Sequence, residues 1–111
     1  MRTWIILLLL PVYLNAQDYK SDISIVQFSA PFTKDSEISL KPFKDYNTYT
    51  FNILEKKEIF DKEKIVFLPT IILYHNNEEV VRIESDISLK LPENTQDTLE
   101  QHIDKIMESK F

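Results

Sequence analysis

The sequence of 111 residues contains no glycine, which limits the tight turns open to the chain. Glycine takes positive backbone φ angles at no steric cost, whereas Asn and Asp are the residues that best tolerate the left-handed conformation in its place. We therefore expect Asn or Asp wherever a positive φ is needed. A glycine-rich phosphate-binding loop is excluded. Cysteine is absent as well, so no disulfide can brace the fold and one packed apolar core must stabilise it.

The first sixteen residues have the layout of a secretory signal peptide. A short basic start precedes the apolar run Trp4–Leu10, which is too short to span a bilayer as a helix. Pro11 ends the run, and Ala16 offers a small residue before the cut. The sequence predicts a signal peptide over 1–16 and a single domain over 17–111. It also predicts a periplasmic or secreted location, with no membrane insertion after cleavage.

The acidic balance of the chain narrows the choice of partner. The whole chain has 13 Lys and Arg against 18 Asp and Glu, and residues 1–16 contribute only Arg2, so the remainder carries 12 − 18 = −6. A negative surface repels nucleic acid and anionic lipid headgroups. We therefore predict that nucleic acid is not a partner.

The alternation of apolar and polar residues predicts the element order β-α-β-α-β-β-α. Strands are predicted over 22–28, 48–54, 70–74 and 79–84, and helices over 36–46, 55–64 and 94–109. Ser36 is expected to cap the first helix with Glu37 in its first turn, and Pro42 to kink or shorten it. Asn76 and Asn77 predict a tight turn between the last two strands. The result is an α/β fold: a mixed four-stranded sheet with helices on both faces.

This order resembles the thioredoxin family, and three stretches of sequence support the likeness. Val26–Phe32 resembles the strand and the apolar approach to the family's active site. Phe67–Tyr74 resembles its cis-proline segment and the strand that follows, with Pro69 at the proline position. Asn76–Val80 stands where the family has a hairpin turn. The resemblance covers about residues 22–109 and implies a thioredoxin-like fold.

The positions that carry the family's chemistry differ in this chain. Where the family has Cys-x-x-Cys, the resemblance places Thr33, Lys34, Asp35 and Ser36. It places Gln27 at the family's buried acid and Thr50 at the neighbouring lysine. A hydroxyl is not ionised near pH 7 and glutamine does not titrate, so neither thiolate nor helper charge is present. The resemblance therefore implies a degenerate, cysteine-free active site.

Other chemistry finds little support in the sequence. A hydroxyl nucleophile at Thr33 or Ser36 would need a positioned base, and we expect Lys34 to face solvent. His75 and His102 are far apart in the predicted order, with no ligand spacing around them. We predict no catalytic residue, no metal and no cofactor.

The leading functional hypothesis is a module that binds a protein or an extended peptide. In the resembling family, the loop before the cis-proline offers backbone groups to an incoming strand. That resemblance implies a contact surface formed by Phe32, Leu68, Pro69 and Thr70. One alternative is an oxidoreductase role in cell redox homeostasis that uses a partner's thiols. Another is a structural subunit of an envelope complex.

Overall fold

The fold is built on a four-stranded mixed sheet. The computed structural model describes residues 18–109, and the predicted signal peptide lies outside them. The four strands are β1 (Ile23–Ser29), β2 (Asn47–Asn52), β3 (Thr70–His75) and β4 (Glu78–Glu84). Their order across the sheet is β2-β1-β3-β4, with β1 and β2 parallel and the other two pairs antiparallel. The predicted α/β class and mixed sheet are confirmed.

Within residues 18–109 two α-helices accompany the sheet, α1 (Ile53–Lys62) and α2 (Thr95–Ser109). The first begins earlier than predicted because Asn52 is its N-cap: the side-chain oxygen accepts the amide of Leu54 at 2.9 Å. Lys56 has non-helical angles (φ −126°, ψ 35°), so the start of α1 is irregular. Within residues 18–109, neither helix is long and apolar enough to cross a membrane.

The helix predicted over residues 36–46 is wrong. Two short 3-10 segments, Pro31–Ser36 and Lys41–Phe43, lie between β1 and β2 instead. Ser36 ends the first segment rather than capping a helix, and Glu37 after it is extended with φ −67° and ψ 148°. The observed order therefore has two 3-10 turns in place of the first predicted helix.

The side chain of Gln27 explains this difference. Its Nε2 donates to the carbonyl of Ile38 at 3.1 Å, and the amide of Ile38 donates to its Oε1 at 2.9 Å. In a helix the Ile38 carbonyl would accept from residue 42, but Pro42 has no N–H to give. The buried amide of Gln27 satisfies both backbone groups and holds the segment extended. This residue therefore has a structural role at the position where the resembling family carries an acid.

Helices cover both faces of the sheet because alternate residues of each strand point to opposite sides. One face packs under α2 and one 3-10 turn, with the buried cluster Ile23, Ile25, Phe43, Ile71, Leu73, Ile83, Leu99, Ile103 and Ile106. The other face packs under α1, with the buried cluster Tyr19, Val26, Phe28, Phe60, Ile72 and Tyr74. We call the second set the aromatic cluster. The two apolar layers supply the packing that a cysteine-free chain needs.

Five residues between 18 and 109 take positive φ without the help of glycine. Asn76 (50°) and Asn77 (73°) form the turn between β3 and β4, and Asp22 has φ of 50°. These three agree with the expectation for a chain that has no glycine. Lys64 (57°) and Leu89 (66°) do not, because neither is Asn or Asp.

Lys64 takes the left-handed conformation because the end of α1 is held from both sides. The amide of Ile65 donates to the carbonyl of Phe60 at 2.9 Å, as in a Schellman motif, and both side chains pack at the aromatic cluster. The Arg82 guanidinium from β4 donates to the carbonyls of Glu63 at 2.8 Å and Lys64 at 3.1 Å. These contacts offset the steric cost of a side chain at the position that glycine usually takes.

Candidate functional site

One end of the sheet gathers four connecting segments, two of which carry predicted contact residues. The register pairs Ser29 of β1 with Asn52 of β2, Phe28 with Thr70 of β3, and Thr70 with Glu84 of β4. The last residues of β1, β2 and β4 and the first residue of β3 therefore lie in one row. The segments that leave this row are 30–36, 53–55, 66–69 and 85–90.

Large apolar side chains are exposed on these segments. Among residues 18–109, seven large apolar residues are exposed, and only Val80 lies near the opposite, hairpin end. We call the other six the apolar rim: Phe32, Leu54, Val66, Phe67, Ile87 and Leu89. Phe32 is 70% exposed and Ile87 is 97% exposed. Single exposed apolar residues are ordinary, whereas the loops that carry these six leave the same end of the sheet.

The loop that carries Ile87 is held in shape by Asp86. Its Oδ1 accepts the amide of Ser88 at 2.9 Å, the hydroxyl of Ser88 at 2.6 Å and the amide of Lys90 at 3.2 Å. The same hydrogen bonds lower the pKa of the Asp86 carboxyl, the one from the Ser88 hydroxyl most of all. Leu89 closes the loop in the left-handed conformation. Ile87 is thus presented to solvent by an ordered turn.

The segment before β3 carries an amide and a carbonyl of one residue that have no hydrogen-bond partner among residues 18–109. The Leu68–Pro69 peptide bond is cis. The Pro69 carbonyl accepts the amide of Ser85 at 3.2 Å, and the hydroxyl of Thr70 donates to the carbonyl of Phe67. The amide and carbonyl of Leu68 make no hydrogen bond with any residue of the described part of the chain. This pair of backbone groups can accept an incoming strand.

The four predicted contact residues divide between the surface and the interior. Phe32 is exposed and Leu68 is half-buried, whereas Pro69 and Thr70 are buried. The two buried residues can shape the loop, but they offer no side-chain surface to a partner. The segments that carry these residues leave the sheet at the same end.

Thr33 is buried, and its hydroxyl belongs to a structural network. The Oγ1 atom accepts the amide of Ala30 at 3.0 Å and lies 3.1 Å from the Oγ of Ser29. Ser29 in turn donates to the carboxylate of Glu37 at 2.6 Å. Thr33 is 1% exposed and Ser29 is 2% exposed, so an attacking role on a substrate has no support. The hydrogen bonds of this hydroxyl stabilise the loop that carries Phe32.

The remaining residues at the degenerate positions differ from Thr33 in burial. Lys34 and Asp35 are exposed and Ser36 is half-buried. Gln27, where the resemblance places an acid, is buried and bonded to backbone, and its register neighbour Thr50 is exposed on β2. Neither of these two side chains can take up or release a proton near neutral pH.

Replacing Thr33 with valine is expected to lower the free energy of unfolding by about 1–3 kcal/mol. The shape of the side chain is kept, but the Ala30 amide loses its acceptor and Ser29 loses a partner. Urea denaturation followed by circular dichroism measures the change. The matched control is Thr50→Val on the exposed side of β2, where the loss should stay within about 0.5 kcal/mol. Equal losses in the two variants would contradict a structural role for the Thr33 hydroxyl.

A buried carboxylate away from the rim is a feature that the sequence did not reveal. Glu63 lies among charged residues in the sequence, yet it is only 8% exposed. Tyr19 and Tyr74 donate to its two oxygens at 2.7 and 2.9 Å, and the ammonium of Lys20 lies 2.8 Å from Oε2. We call these four residues the Glu63 cluster. It ties the start of the described chain to α1 and β3.

Electrostatics in the Glu63 cluster favour the ionised carboxylate. Burial raises the pKa of Glu63, but hydrogen bonds from Lys20, Tyr19 and Tyr74 lower it by more, so the pKa lies below its usual value. Burial, with the bond to the carboxylate, raises the pKa of Tyr19 and of Tyr74. Both phenols therefore remain protonated donors. The cluster is a structural ion pair rather than an acid–base site.

Metal ligation has no support among residues 18–109, where no three His, Asp or Glu side chains come close enough to hold an ion. His75 lies 3.2 Å from the side-chain amide of Asn76. His102 Nδ1 lies 2.9 Å from the carbonyl of Thr98 on its own helix. Each histidine side chain therefore contacts a polar group that is close to it in sequence.

A mixed sheet in this order, with one helix on each face, defines a thioredoxin-like fold. No protein-family model matches the chain, and no curated protein matches it in sequence. Solved thioredoxins match it in structure. Thioredoxin from Fasciola hepatica superposes with a TM-score of 0.59 at 15% identity, covering 82% of this chain and 90% of that one.

Two further thioredoxins give the same result. The reduced thioredoxin of Schistosoma mansoni has a TM-score of 0.55 at 18% identity, covering 83% of this chain and 90% of that one. The oxidised thioredoxin of Plasmodium falciparum has a TM-score of 0.53 at 20% identity, covering 76% of this chain and 84% of that one. The chain therefore has the thioredoxin-like fold, without a cysteine in its 111 residues.

Proposed function

We propose that this chain is a thioredoxin-like binding module that holds an extended segment of a partner protein at the apolar rim, without thiol chemistry. The observation that carries the proposal is the open amide and carbonyl of Leu68, at the same end of the sheet as the loops that carry six exposed apolar side chains. Export through the predicted signal peptide, to the periplasm or the exterior, is part of the proposal and rests on residues 1–16 alone.

An extended partner fits this surface better than a compact small molecule. A strand that lies along the segment before β3 can exchange hydrogen bonds with the amide and carbonyl of Leu68, while its alternate side chains reach the rim. A surface depression of about 350 Å³, lined by the first residues of α1, adjoins Leu54. The partner's backbone would supply affinity, and its apolar side chains would supply specificity.

The oxidoreductase alternative has less support. The 111 residues offer no thiol, and the hydroxyls of Ser29 and Thr33 are buried and bonded to one another. In the resembling family an acid and a lysine assist the thiol chemistry, and Gln27 and Thr50, which stand at those two positions, do not titrate near neutral pH. A structural subunit would use the same apolar rim, but it would bind a folded surface rather than a linear peptide.

The test is selection of linear peptides from a random phage-displayed library, followed by calorimetry with the selected peptides. The double variant Phe32→Asp, Ile87→Asp should weaken binding by about 100-fold, because two apolar contacts are replaced by charges that must be desolvated. The matched control Val80→Asp changes an exposed apolar residue at the opposite end and should leave the affinity within about threefold.

Three outcomes would count against the proposal. Equal affinity of the double variant and the wild type would move the binding surface away from the rim. Selection of no peptide, together with capture of a folded subunit by the same rim, would favour the structural role. Disulfide reduction in an insulin assay, above the rate in buffer, would restore the oxidoreductase alternative.

A further inference from the structure

The two outer edges of the sheet differ in how they are protected. Four of the seven residues of β4 are charged: Glu78, Glu79, Arg82 and Glu84. The pairing of β4 with β3 also shifts register between Leu73 and Tyr74. Charges and bulges are the devices by which proteins keep an edge strand from pairing with another chain. The β4 edge is therefore guarded.

The β2 edge has neither device. Its sequence, Asn-Thr-Tyr-Thr-Phe-Asn, contains no charged residue and no proline. Within residues 18–109, β2 has a strand neighbour on one side only, which is β1. Thr, Tyr and Phe have high preference for strands, so the segment is well suited to take a second neighbour. An uncharged, six-residue edge of this composition is a template for strand pairing.

The charge around β2 also differs from that of the whole chain. Residues 41–58 contain four Lys and three acidic residues, a balance of 4 − 3 = +1. Residues 76–90, around β4, contain one Arg and one Lys against four acidic residues, a balance of 2 − 4 = −2. The whole chain carries −5. Two copies of this acidic protein therefore meet less repulsion when they approach through β2 than through β4.

We propose that β2 pairs with β2 of a second copy of this chain, antiparallel across a two-fold axis, to form a continuous eight-stranded sheet. A two-fold axis perpendicular to the sheet leaves the same face on the same side in both copies. Side chains of one face therefore become neighbours of side chains from that same face across the junction. Thr48 and Thr50 lie beside threonines, and Tyr49 and Phe51 beside aromatic rings. Threonine pairs and aromatic pairs across neighbouring strands are both stabilising.

The aromatic side of this junction is already ordered within one copy. Phe51 makes edge-to-face contacts with Phe28 and Tyr19, with ring centres 6.0 and 5.7 Å apart. Tyr49 packs on Phe51 at 5.7 Å and is engaged within its own chain. These rings form a preorganised face, so pairing would order little that is not ordered already.

The small size of the contact is typical of a weak dimer. One six-residue strand pair and its flanks bury well under the roughly 1,200 Å² of a standard interface, which places the dimer among weak and transient assemblies. It is therefore a concentration-dependent state. The inference is independent of the proposed function, because the rim lies at the strand ends and the pairing uses the strand side.

The test is sedimentation equilibrium of the purified chain from about 10 μM to about 1 mM, a range suited to a weak interface. We expect the average mass to rise from monomer toward dimer. Thr50 is exposed, so Thr50→Lys and Thr50→Glu should fold normally, which circular dichroism and melting verify. Each variant alone should raise the dimer dissociation constant at least about tenfold, because like charges lie close across the two-fold axis.

Mixing the two variants gives the most direct test of pairing between the two β2 strands. An equimolar mixture of Thr50→Lys and Thr50→Glu should recover dimer, with a dissociation constant within about threefold of the wild type, because opposite charges then face each other. Val80→Lys on the guarded β4 edge is the control and should leave the dimer unchanged. A wild-type chain that stays monomeric throughout the range would overturn the inference. So would a dimer that Val80→Lys abolishes and Thr50→Lys does not.

Discussion

Replacing Glu63 with alanine is expected to lower the free energy of unfolding by about 3–5 kcal/mol, the usual cost of breaking a buried ion pair from one side. The change removes the acceptor of two buried phenols, Tyr19 and Tyr74, and leaves the ammonium of Lys20 without its carboxylate. It also releases the start of the described chain from α1. Urea denaturation at neutral pH, followed by circular dichroism, measures the loss of stability.

The control for this change lies on α1, the helix that Glu63 directly follows. Glu58 of α1 is exposed, and Glu58→Ala should alter the free energy of unfolding by no more than about 0.5 kcal/mol. A loss at Glu63 no larger than that at Glu58 would mean that the Glu63 cluster does not stabilise the fold.

The pH dependence of stability gives a second readout of the same cluster. The folded pKa of Glu63 is lowered from its ordinary value of 4.5 by Lys20, Tyr19 and Tyr74, which face it from the start of the chain and from β3. A lowered carboxyl pKa contributes stability that is present above pH 4.5 and is lost as the pH falls through the folded pKa. The stability gap between wild type and Glu63→Gln should therefore be constant near neutral pH and narrow in acid. A gap that widens in acid would contradict the assigned direction.

Replacing Phe28 with alanine is expected to lower the free energy of unfolding by about 3–5 kcal/mol. Phe28 has no exposed surface, and it makes edge-to-face contacts with Phe60 and Phe51 at ring-centre distances of 5.0 and 6.0 Å. Its removal would leave a cavity between β1 and α1 in the centre of the aromatic cluster. Thermal and urea denaturation measure the loss.

A matched control stands four residues further along the chain. Phe32 is 70% exposed on the apolar rim, so Phe32→Ala should change stability by no more than about 0.5 kcal/mol. The same substitution should weaken peptide binding, because it removes part of the proposed contact surface. The two phenylalanines therefore separate stability from function. A large stability loss at Phe32 would show that it belongs to the core instead.

The strands were predictable because in each of them apolar residues either alternate with polar ones or follow one another. Such a pattern is visible within a few residues of sequence. The turn at Asn76 and Asn77 was also predictable from local sequence. In a chain without glycine, Asn is one of the residues that best tolerate a positive φ. The segment after β1 was not predictable from local pattern. It depends on Gln27, eleven residues earlier, satisfying the backbone of Ile38 from the side.

The candidate site shows the same division. Phe32 and Leu68 were assigned to one surface through the family resemblance, and the sheet register places their loops at one end. Leu54 and Ile87 were not assigned, because single apolar residues in polar surroundings give no sequence signal of their own. Only the register, which sets Ser29 beside Asn52 and Thr70 beside Glu84, shows that their loops share that end.

The sequence by itself determined the absence of thiol chemistry in these 111 residues, the acidic charge and the alternation that makes four strands, because these follow from residue identity and local spacing. The tertiary structure alone decided which hydroxyls and carboxylates are buried. Thr33 and Glu63 are polar in sequence and interior in the fold, since partners distant along the chain satisfy their hydrogen bonds. It also decided that the exposed apolar residues gather at one end, because strand register, and not sequence distance, determines which loops are neighbours.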